Sequence, residues 1–140
     1  MIDHSPGLRI AALLPSALQP RFLAAVETLP GTIILWATNS THLGRLLYTH
    51  DVSLVVVDPV NGGSTLQTNV RRLLRRRPAI PLIVYTAITP TSLQVVAALG
   101  RLGLREVVFT SYEDAPERFA RTLQRVAATA RDASINTLPS

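Results

Sequence analysis

The run Leu54–Val57 constrains the fold more than any other stretch of this chain. Its residues are apolar without alternation, and they lead directly into Asp58. A strand with one face in water alternates apolar and polar side chains, whereas a strand that does not alternate is covered on both faces. Such strands are typical of parallel sheets with helices on both sides. The run therefore predicts an α/β protein, and it raises the question of why a single acid ends a buried strand.

Other short runs are also mainly apolar. With the run above, they predict five strands: Leu8–Leu14, Thr32–Ala37, Ser53–Val57, Ile80–Tyr85 and Arg105–Phe109. A segment with apolar residues at helical spacing follows each of them. These predicted helices lie at about 17–29, from Ser40 or Thr41 through Leu47, from about Leu66 to Pro78, from Thr89 to Gly100 or Gly103, and from Asp114 through Ala130. The alternation predicts one doubly wound parallel sheet of five strands with five helices.

Four of the predicted helix starts carry capping signals. Ser16, and later Ser40 or Thr41, have hydroxyls that can accept hydrogen bonds from the first free N–H groups of a helix. Thr89 is followed by a proline, which fits a cap before the first turn. Asp114–Glu117 has the spacing of a capping box. We therefore expect these residues to begin the first, second, fourth and fifth helices.

The length of 140 residues fits one domain, which we expect to span residues 8–131. Residues 1–7 are expected to be disordered, and residues 132–140 lack helical periodicity and are interpreted as a linker or tail. No apolar run approaches the roughly 20 residues of a membrane span, and no secretory signal is visible. The absence of cysteine excludes disulfides and thiolate metal sites, and the cytoplasm is the simplest location to expect.

In a doubly wound sheet, sites form beyond the carboxyl ends of the strands, where the winding changes direction. The segments expected there are Leu14–Ser16, Asp58, Tyr85–Ala87 and Phe109–Ser111. Four separate segments therefore deliver side chains to one crevice, and Asp58 is the single acid among them. What the chain does depends on what these side chains can do together.

Several stretches resemble the receiver domains of two-component response regulators, which accept a phosphoryl group on an aspartate. They are Val55–Pro59, Gly63, Val70–Pro78, Ile80–Ala87 and Ala98–Phe109. The order and spacing of these stretches fit the family over about residues 8–130. The resemblance implies a flavodoxin-like fold and a signalling role.

The resemblance also assigns the parts of the family's active site to positions in this sequence. Asp58 matches the aspartate that ends the third strand and accepts the phosphoryl group. Thr86 matches the hydroxyl that ends the fourth strand and binds a phosphate oxygen. The other positions have changed: Leu14 and Pro15 replace two acids that help to hold Mg²⁺, Thr110 replaces a lysine, and Val107 replaces an aromatic residue.

These replacements bear directly on the chemistry. Phosphoryl transfer to a carboxylate brings negative charges together, and Mg²⁺ and a cation normally offset the repulsion. Mg²⁺ binds oxygen ligands, usually carboxylates. All 14 basic residues are arginine, so no lysine elsewhere can take the missing role. We therefore expect a receiver-like domain that is not conventionally phosphorylated, is not an enzyme, and has no metal or other cofactor.

Two interpretations of Asp58 remain open. It is either a surviving acceptor or ligand site, or a structural residue whose carboxylate accepts hydrogen bonds from the Pro59–Gly63 turn. Two interpretations of Thr86 are also open: its hydroxyl either binds a ligand oxygen or caps a loop. Together with Thr110 and Ser111, it would give the crevice hydroxyl groups suited to a small neutral ligand.

The third predicted helix carries a cluster of arginines: Arg71, Arg72, Arg75 and Arg76. Their i, i+4 spacing places them on the outer face of that helix. The cluster is either a basic interaction patch or a solvated face of an arginine-rich protein. No aromatic residues are interleaved and no helix-turn-helix is evident, so no direct nucleic-acid binding by this domain is expected.

The leading functional hypothesis is a regulatory interaction module, the receiver-like domain of a bacterial transcription regulator with a fused DNA-binding output domain. The fourth predicted helix is apolar beyond one stripe. The resemblance implies pairing through the fourth helix, fifth strand and fifth helix, so a homodimer is expected, and no membrane partner is. The alternatives are a small-molecule sensor that uses the altered crevice and an atypical receiver still phosphorylated on Asp58.

Overall fold

The computed structural model describes residues 8–58, 80–86, 89–100, 107–111 and 115–136. The strands are β1 (Arg9–Leu13), β2 (Ile33–Trp36), β3 (Leu54–Val57), β4 (Leu82–Thr86) and β5 (Val107–Ser111). They form one parallel sheet in the order β2-β1-β3-β4-β5. This confirms the predicted doubly wound five-stranded sheet.

The described helices are α1 (Gln19–Val26), α2 (Ser40–Thr49), α3 (Pro90–Gly100) and α4 (Pro116–Asn136). The helix predicted from about Leu66 to Pro78 lies outside the described residues, so α3 and α4 are the fourth and fifth predicted helices. No helix within the described ranges is long and apolar enough to cross a membrane.

Successive strand residues face opposite sides of the sheet, and each side has its own hydrophobic core. The α1/α4 core contains Ile10, Ala12, Leu14, Phe22, Leu54, Val56, Ile83, Tyr85, Phe119, Leu123 and Val126, among others. The α2 core contains Ala11, Leu13, Leu43, Leu46, Leu47, Val55, Val57, Leu82 and Val84, among others. Both faces of β3 are therefore covered, as its sequence without alternation predicts.

Four aromatic rings tie the α1/α4 core together. The ring of Phe22 lies edge-on to Trp36 with centroids 5.6 Å apart, and it lies 6.0 Å from the ring of Phe119. Phe119 in turn stacks on Tyr85 with centroids 4.2 Å apart and an interplanar angle of 13°. Offset or edge-on ring pairs contribute about 0.5–1.5 kcal/mol beyond the burial of their area. The first helix, the last helix and β4 are thus joined by one continuous set of contacts.

Two of the capping predictions are wrong. Ser16 does not cap α1; it begins a 3₁₀ turn, Ser16–Leu18, in which the Leu18 N–H donates to the Pro15 carbonyl at 2.9 Å. That backbone bond satisfies the Leu18 N–H without a side-chain cap. The cap of α2 is Asn39, and neither Ser40 nor Thr41. Its backbone is extended and its Oδ1 accepts from the His42 N–H at 2.8 Å, whereas Ser40 is already helical and buried.

The capping prediction for α3 is confirmed. The Ser92 N–H donates to the hydroxyl oxygen of Thr89 at 3.0 Å, and the Thr89 N–H donates to the hydroxyl oxygen of Ser92 at 2.9 Å. This reciprocal pair has the geometry of a capping box, with serine in place of the usual acid. For α4, Asp114 lies outside the described residues, and the helix begins at Pro116.

Most element boundaries differ from the predictions by one to three residues, and two differences bear on the site and the tail. The fifth strand continues to Ser111, two residues past its predicted end, because its pairing with β4 continues through Tyr85↔Thr110 and Thr86↔Ser111. Helix α4 ends at Asn136, so the first five residues of the predicted tail are helical. Periodicity detects a helix only where apolar residues recur at helical spacing, and the sequence of these five residues has no such spacing.

Candidate functional site at the strand ends

Asp58 follows the last residue of β3, the central strand of the sheet, and its backbone bonds to β1. Its N–H donates to the carbonyl oxygen of Leu13 at 2.9 Å, which extends the β1–β3 pairing by one residue. The residue is only 6% exposed. Its position is therefore fixed by the two central strands.

Thr86 is the last residue of β4, and it contacts Asp58 directly. The Thr86 hydroxyl donates a hydrogen bond of 3.0 Å to Oδ1 of Asp58, and Thr86 is 2% exposed. A buried polar group without a partner is costly, so each member of this pair reduces the cost of burying the other. The structure thus brings together the two residues that the resemblance assigned to one site.

The alternative partner for the Asp58 carboxylate, the Pro59–Gly63 turn, lies outside the described residues. The contact with Thr86 shows that the carboxylate has a side-chain donor 28 positions further along the chain. A structural role for Asp58 therefore has a specific basis, because the hydrogen bond ties the end of β3 to the end of β4.

The end of β1 contributes no acid to the crevice. Leu14 is 5% exposed and belongs to the α1/α4 core, and its carbonyl oxygen accepts from Nε2 of Gln19 at 3.3 Å. Pro15 is partly exposed and has an extended backbone before the 3₁₀ turn. Neither side chain has an oxygen that could bind a cation, so the end of β1 supplies no side-chain ligand for a metal where the family has carboxylates.

Strand register separates Thr110 from Thr86. Thr110 pairs with Tyr85, and Ser111 pairs with Thr86. Paired residues in a parallel sheet share a face, so Thr110 lies on the face of the α1/α4 core and Ser111 lies on the face of Thr86. Both are buried. The sequence suggested a common crevice for these hydroxyls, and the register shows that Ser111 is the one beside Thr86.

A contact that the sequence did not predict joins Tyr85 to Arg21 of α1. The Tyr85 ring is 2% exposed, and its phenol oxygen and the Arg21 guanidinium form a side-chain hydrogen bond. Burial raises the pKa of Tyr85 above its ordinary value of 10.0, while the positive charge and the hydrogen bond of Arg21 oppose that rise. A basic side chain therefore does reach the strand ends, on the face opposite Thr86.

Two further features of the sequence analysis concern the arginine cluster and metal binding. The arginine cluster Arg71, Arg72, Arg75 and Arg76 lies outside the described ranges. Within those ranges, no three His, Asp or Glu side chains lie close enough together to hold a metal ion. The site that the structure describes is therefore one carboxylate with neighbouring hydroxyls.

No protein family model and no curated protein matches this sequence. Solved structures do. A signal receiver domain of an HD domain-containing protein from Pseudomonas fluorescens Pf-5 superposes with a TM-score of 0.75 at 17% identity, covering 99% of this chain and 98% of that one. A CheY-like response regulator receiver domain from Methanospirillum hungatei JF-1 gives 0.69 at 12% identity, with coverages of 90% and 98%.

The fold is that of receiver domains. A third structure with this receiver fold is a redox sensor of the streptococci, from a family that evolved from two-component response regulators. It gives a TM-score of 0.73 at 12% identity, and the match covers 96% of this chain and 57% of that one. On the receiver fold, Asp58 and Thr86 occupy neighbouring strand ends, whereas Leu14 and Thr110 have their side chains on the other face of the sheet.

Proposed function

We propose that this chain is a non-enzymatic, receiver-like signalling and interaction module that is not conventionally phosphorylated. The observation that carries the proposal is the buried hydrogen bond from Thr86 to Asp58, with Leu14 in the hydrophobic core where the family has an acid. The receiver fold supports the signalling role, and the chemistry of the altered positions supports the loss of phosphorylation.

The first missing requirement is a metal site. Mg²⁺ needs near-octahedral oxygen coordination and usually takes one or two carboxylates in a phosphate-binding site. Leu14 and Pro15 supply no side-chain oxygen, which leaves Asp58 as the only carboxylate among the matched positions. A single carboxylate in competition with water attracts Mg²⁺ too weakly to neutralise an incoming phosphoryl group.

The second missing requirement is a cation that pairs with the phosphate. Thr110 has no charge, and the chain has no lysine. Arg21 contacts Tyr85, which faces the layer opposite Thr86. The arginine therefore supports a packed interface between α1 and β4 and is poorly placed to take over the lysine's role.

A signalling role without phosphorylation remains consistent with this fold. The streptococcal neighbour is described as a redox sensor from a family that evolved from response regulators, so a receiver fold can serve another signal in that protein. In this chain the absence of cysteine excludes thiol chemistry. We propose instead that the module acts by dimerisation or partner contact within a transcription regulator.

A small-molecule sensor is the second candidate, and the position of Ser111 favours it. This buried serine shares its face with Thr86, so two hydroxyls and one carboxylate meet at the strand ends. Thermal-shift measurements with neutral and anionic metabolites separate the two candidates. A shift in the wild type that disappears in Ser111→Ala supports the sensor, whereas an unchanged melting temperature with every compound supports the interaction module.

Calorimetric titration with millimolar Mg²⁺ tests the proposal for the site. We expect no saturable binding heat for the wild type, and no difference between the wild type and Asp58→Asn. Saturable binding that disappears in Asp58→Asn would show that the site still holds the metal, and the proposal would then be wrong.

Sedimentation at several protein concentrations tests the proposed dimer. Leu93 is an exposed leucine on α3, and Leu23 is an exposed leucine on α1. We expect a dimer that Leu93→Glu weakens and Leu23→Glu leaves intact. A monomer at all concentrations, or equal effects of both variants, contradicts pairing through α3.

A further inference from the structure

We propose that β2 is a docking site for an extended, uncharged segment of a partner protein, which adds a further strand to the sheet. Within the described residues, β2 (Ile33–Trp36) pairs only with β1, because it stands at one end of the strand order. We call the side of β2 that faces away from β1 the outer edge. Since β1 separates the outer edge from β3 and Asp58, the proposal does not depend on whether Asp58 is phosphorylated.

The backbone of the outer edge has hydrogen-bonding groups at alternate residues. The N–H of Ile33 donates to the carbonyl oxygen of Leu8, directly before β1, at 2.8 Å. In a strand the N–H and C=O groups of successive residues point to opposite sides, so Ile34 and Trp36 direct theirs away from β1. Among the described residues, no turn, loop or cap hydrogen bond uses the backbone of Ile34 or Trp36. These groups can therefore pair with another strand.

The side chains along the outer edge are apolar. Ile33 is 50% exposed, and Ile34, Leu35 and Trp36 are each partly exposed. Natural edge strands usually prevent pairing with other chains through charged side chains, prolines or bulges. β2 has no charged residue and no proline, and its register with β1 runs without a bulge. The outer edge is thus suited to an uncharged strand, because a charged one would lose hydration against these side chains.

Leu23 of α1 extends the apolar surface beside the outer edge. Successive residues of a helix are about 100° apart, so Arg21 and Leu23 lie on opposite flanks of α1. Arg21 contacts Tyr85 of β4. Because β2 and β4 lie on opposite sides of β1 in the sheet, the flank with Leu23 faces the side of β2. Leu23 is 43% exposed, and it offers an added strand apolar contact on the α1 face.

An extended segment fits this edge better than a second copy of the domain does. Stable interfaces between folded proteins bury roughly 800 Å² on each partner, from about 20–30 residues a side. β2 has only four residues, and α1 and α2 cover the two faces of the sheet beside it. Two folded copies would therefore meet along one short strand. An extended segment needs no larger surface, because main-chain hydrogen bonds give it affinity and alternate side chains give it specificity.

The test measures binding of a fluorescent peptide of alternating valine and threonine with glutamine at both ends. Two matched peptides carry N-methyl groups, on the valines in one and on the threonines in the other. An added strand pairs through one alternate set of its N–H groups, so only one set of methyl groups blocks pairing. We expect saturable binding of the unmodified peptide, at least about tenfold weaker binding of one methylated peptide, and little change for the other.

Two lysine variants of the protein locate the contact. Ile33 is 50% exposed and Leu93 of α3 is 51% exposed, so Ile33→Lys and Leu93→Lys add the same charge and replace similarly exposed side chains. A lysine in an edge strand hinders pairing. We expect Ile33→Lys to weaken peptide binding at least about fivefold and Leu93→Lys to have little effect. Circular dichroism checks that both variants are folded.

Three results would overturn the proposal: no saturable binding, equal binding of the two methylated peptides, or equal loss in the two variants. Equal binding of the methylated peptides would show that the backbone of β2 is not recognised. Sedimentation of the protein alone tests the other occupant. If the protein forms a dimer that Ile33→Lys abolishes and Leu93→Lys does not, the outer edge pairs with a second copy, and the assignment to a partner segment is wrong.

Discussion

The hydroxyl of Thr86 donates a 3.0 Å hydrogen bond to Oδ1 of Asp58, across the ends of two neighbouring strands. Both residues are buried, so water competes little for either group. In a receiver that accepts a phosphoryl group, the resemblance assigns this hydroxyl to a phosphate oxygen. Here the hydroxyl binds the aspartate itself, and the hydrogen bond links the end of β3 to the end of β4.

The first prediction concerns the contribution of this hydrogen bond to stability. Thr86→Val keeps the branched shape and removes the donor, which leaves the buried Oδ1 of Asp58 without this partner. We expect the free energy of unfolding to fall by about 1–3 kcal/mol in urea titrations. Thr86→Ser retains a hydroxyl and should lose less. If Thr86→Val were as stable as the wild type and Thr86→Ser were less stable, packing of the methyl group, and not the hydrogen bond, would be what matters.

The second prediction concerns Leu14, which stands where the family has an acid. Leu14→Asp places a carboxylate in the α1/α4 core, and we expect it to lower the free energy of unfolding by about 3–5 kcal/mol. Leu14→Met conserves volume and should cost less than about 1.5 kcal/mol. A Leu14→Asp variant that is fully stable and binds Mg²⁺ would show that this position still faces the crevice.

The third prediction concerns the stability of the fold at alkaline pH. In the unfolded chain Tyr85 titrates near 10.0, whereas burial raises its pKa in the folded state. Above that pH the unfolded state loses a proton that the folded state keeps, so stability falls as pH rises, by up to about 1.4 kcal/mol per pH unit. We expect Tyr85→Phe to remove this part of the decline.

The chain suits this measurement because it has no lysine or cysteine to titrate in the same range. Tyr48→Phe serves as the control, since Tyr48 is exposed. Urea titrations at pH 8 and at several values above pH 10 give the slopes. If Tyr85→Phe and the wild type lose stability in parallel, Tyr85 does not keep its proton in the folded state, and the prediction is wrong.

The fold could be predicted from the sequence because short stretches of neighbouring residues determine it. The apolar run Leu54–Val57 indicated a strand covered on both faces, and the order of strands and helices then selected a doubly wound sheet. Boundaries were less accurate where pairing decides them. Thr110 and Ser111 belong to β5 because they continue the pairing with β4, which no apolar pattern reveals.

The site was predictable in part. Sequence position placed Asp58 and Thr86 at strand ends that meet in one crevice, but it did not predict the hydrogen bond between them. The contact between Tyr85 and Arg21 was not predictable, because it depends on how α1 packs against β4. The side of the sheet that Thr110 faces became clear only from strand register.

The most direct test of the central claim is an intact-mass measurement after incubation with Mg²⁺ and a small phosphodonor. An active receiver domain treated in the same way confirms that the donor works, and Asp58→Asn is the matched variant. We expect the mass of the wild-type chain not to change. A gain of one phosphoryl group in the wild type that is absent from Asp58→Asn would contradict it.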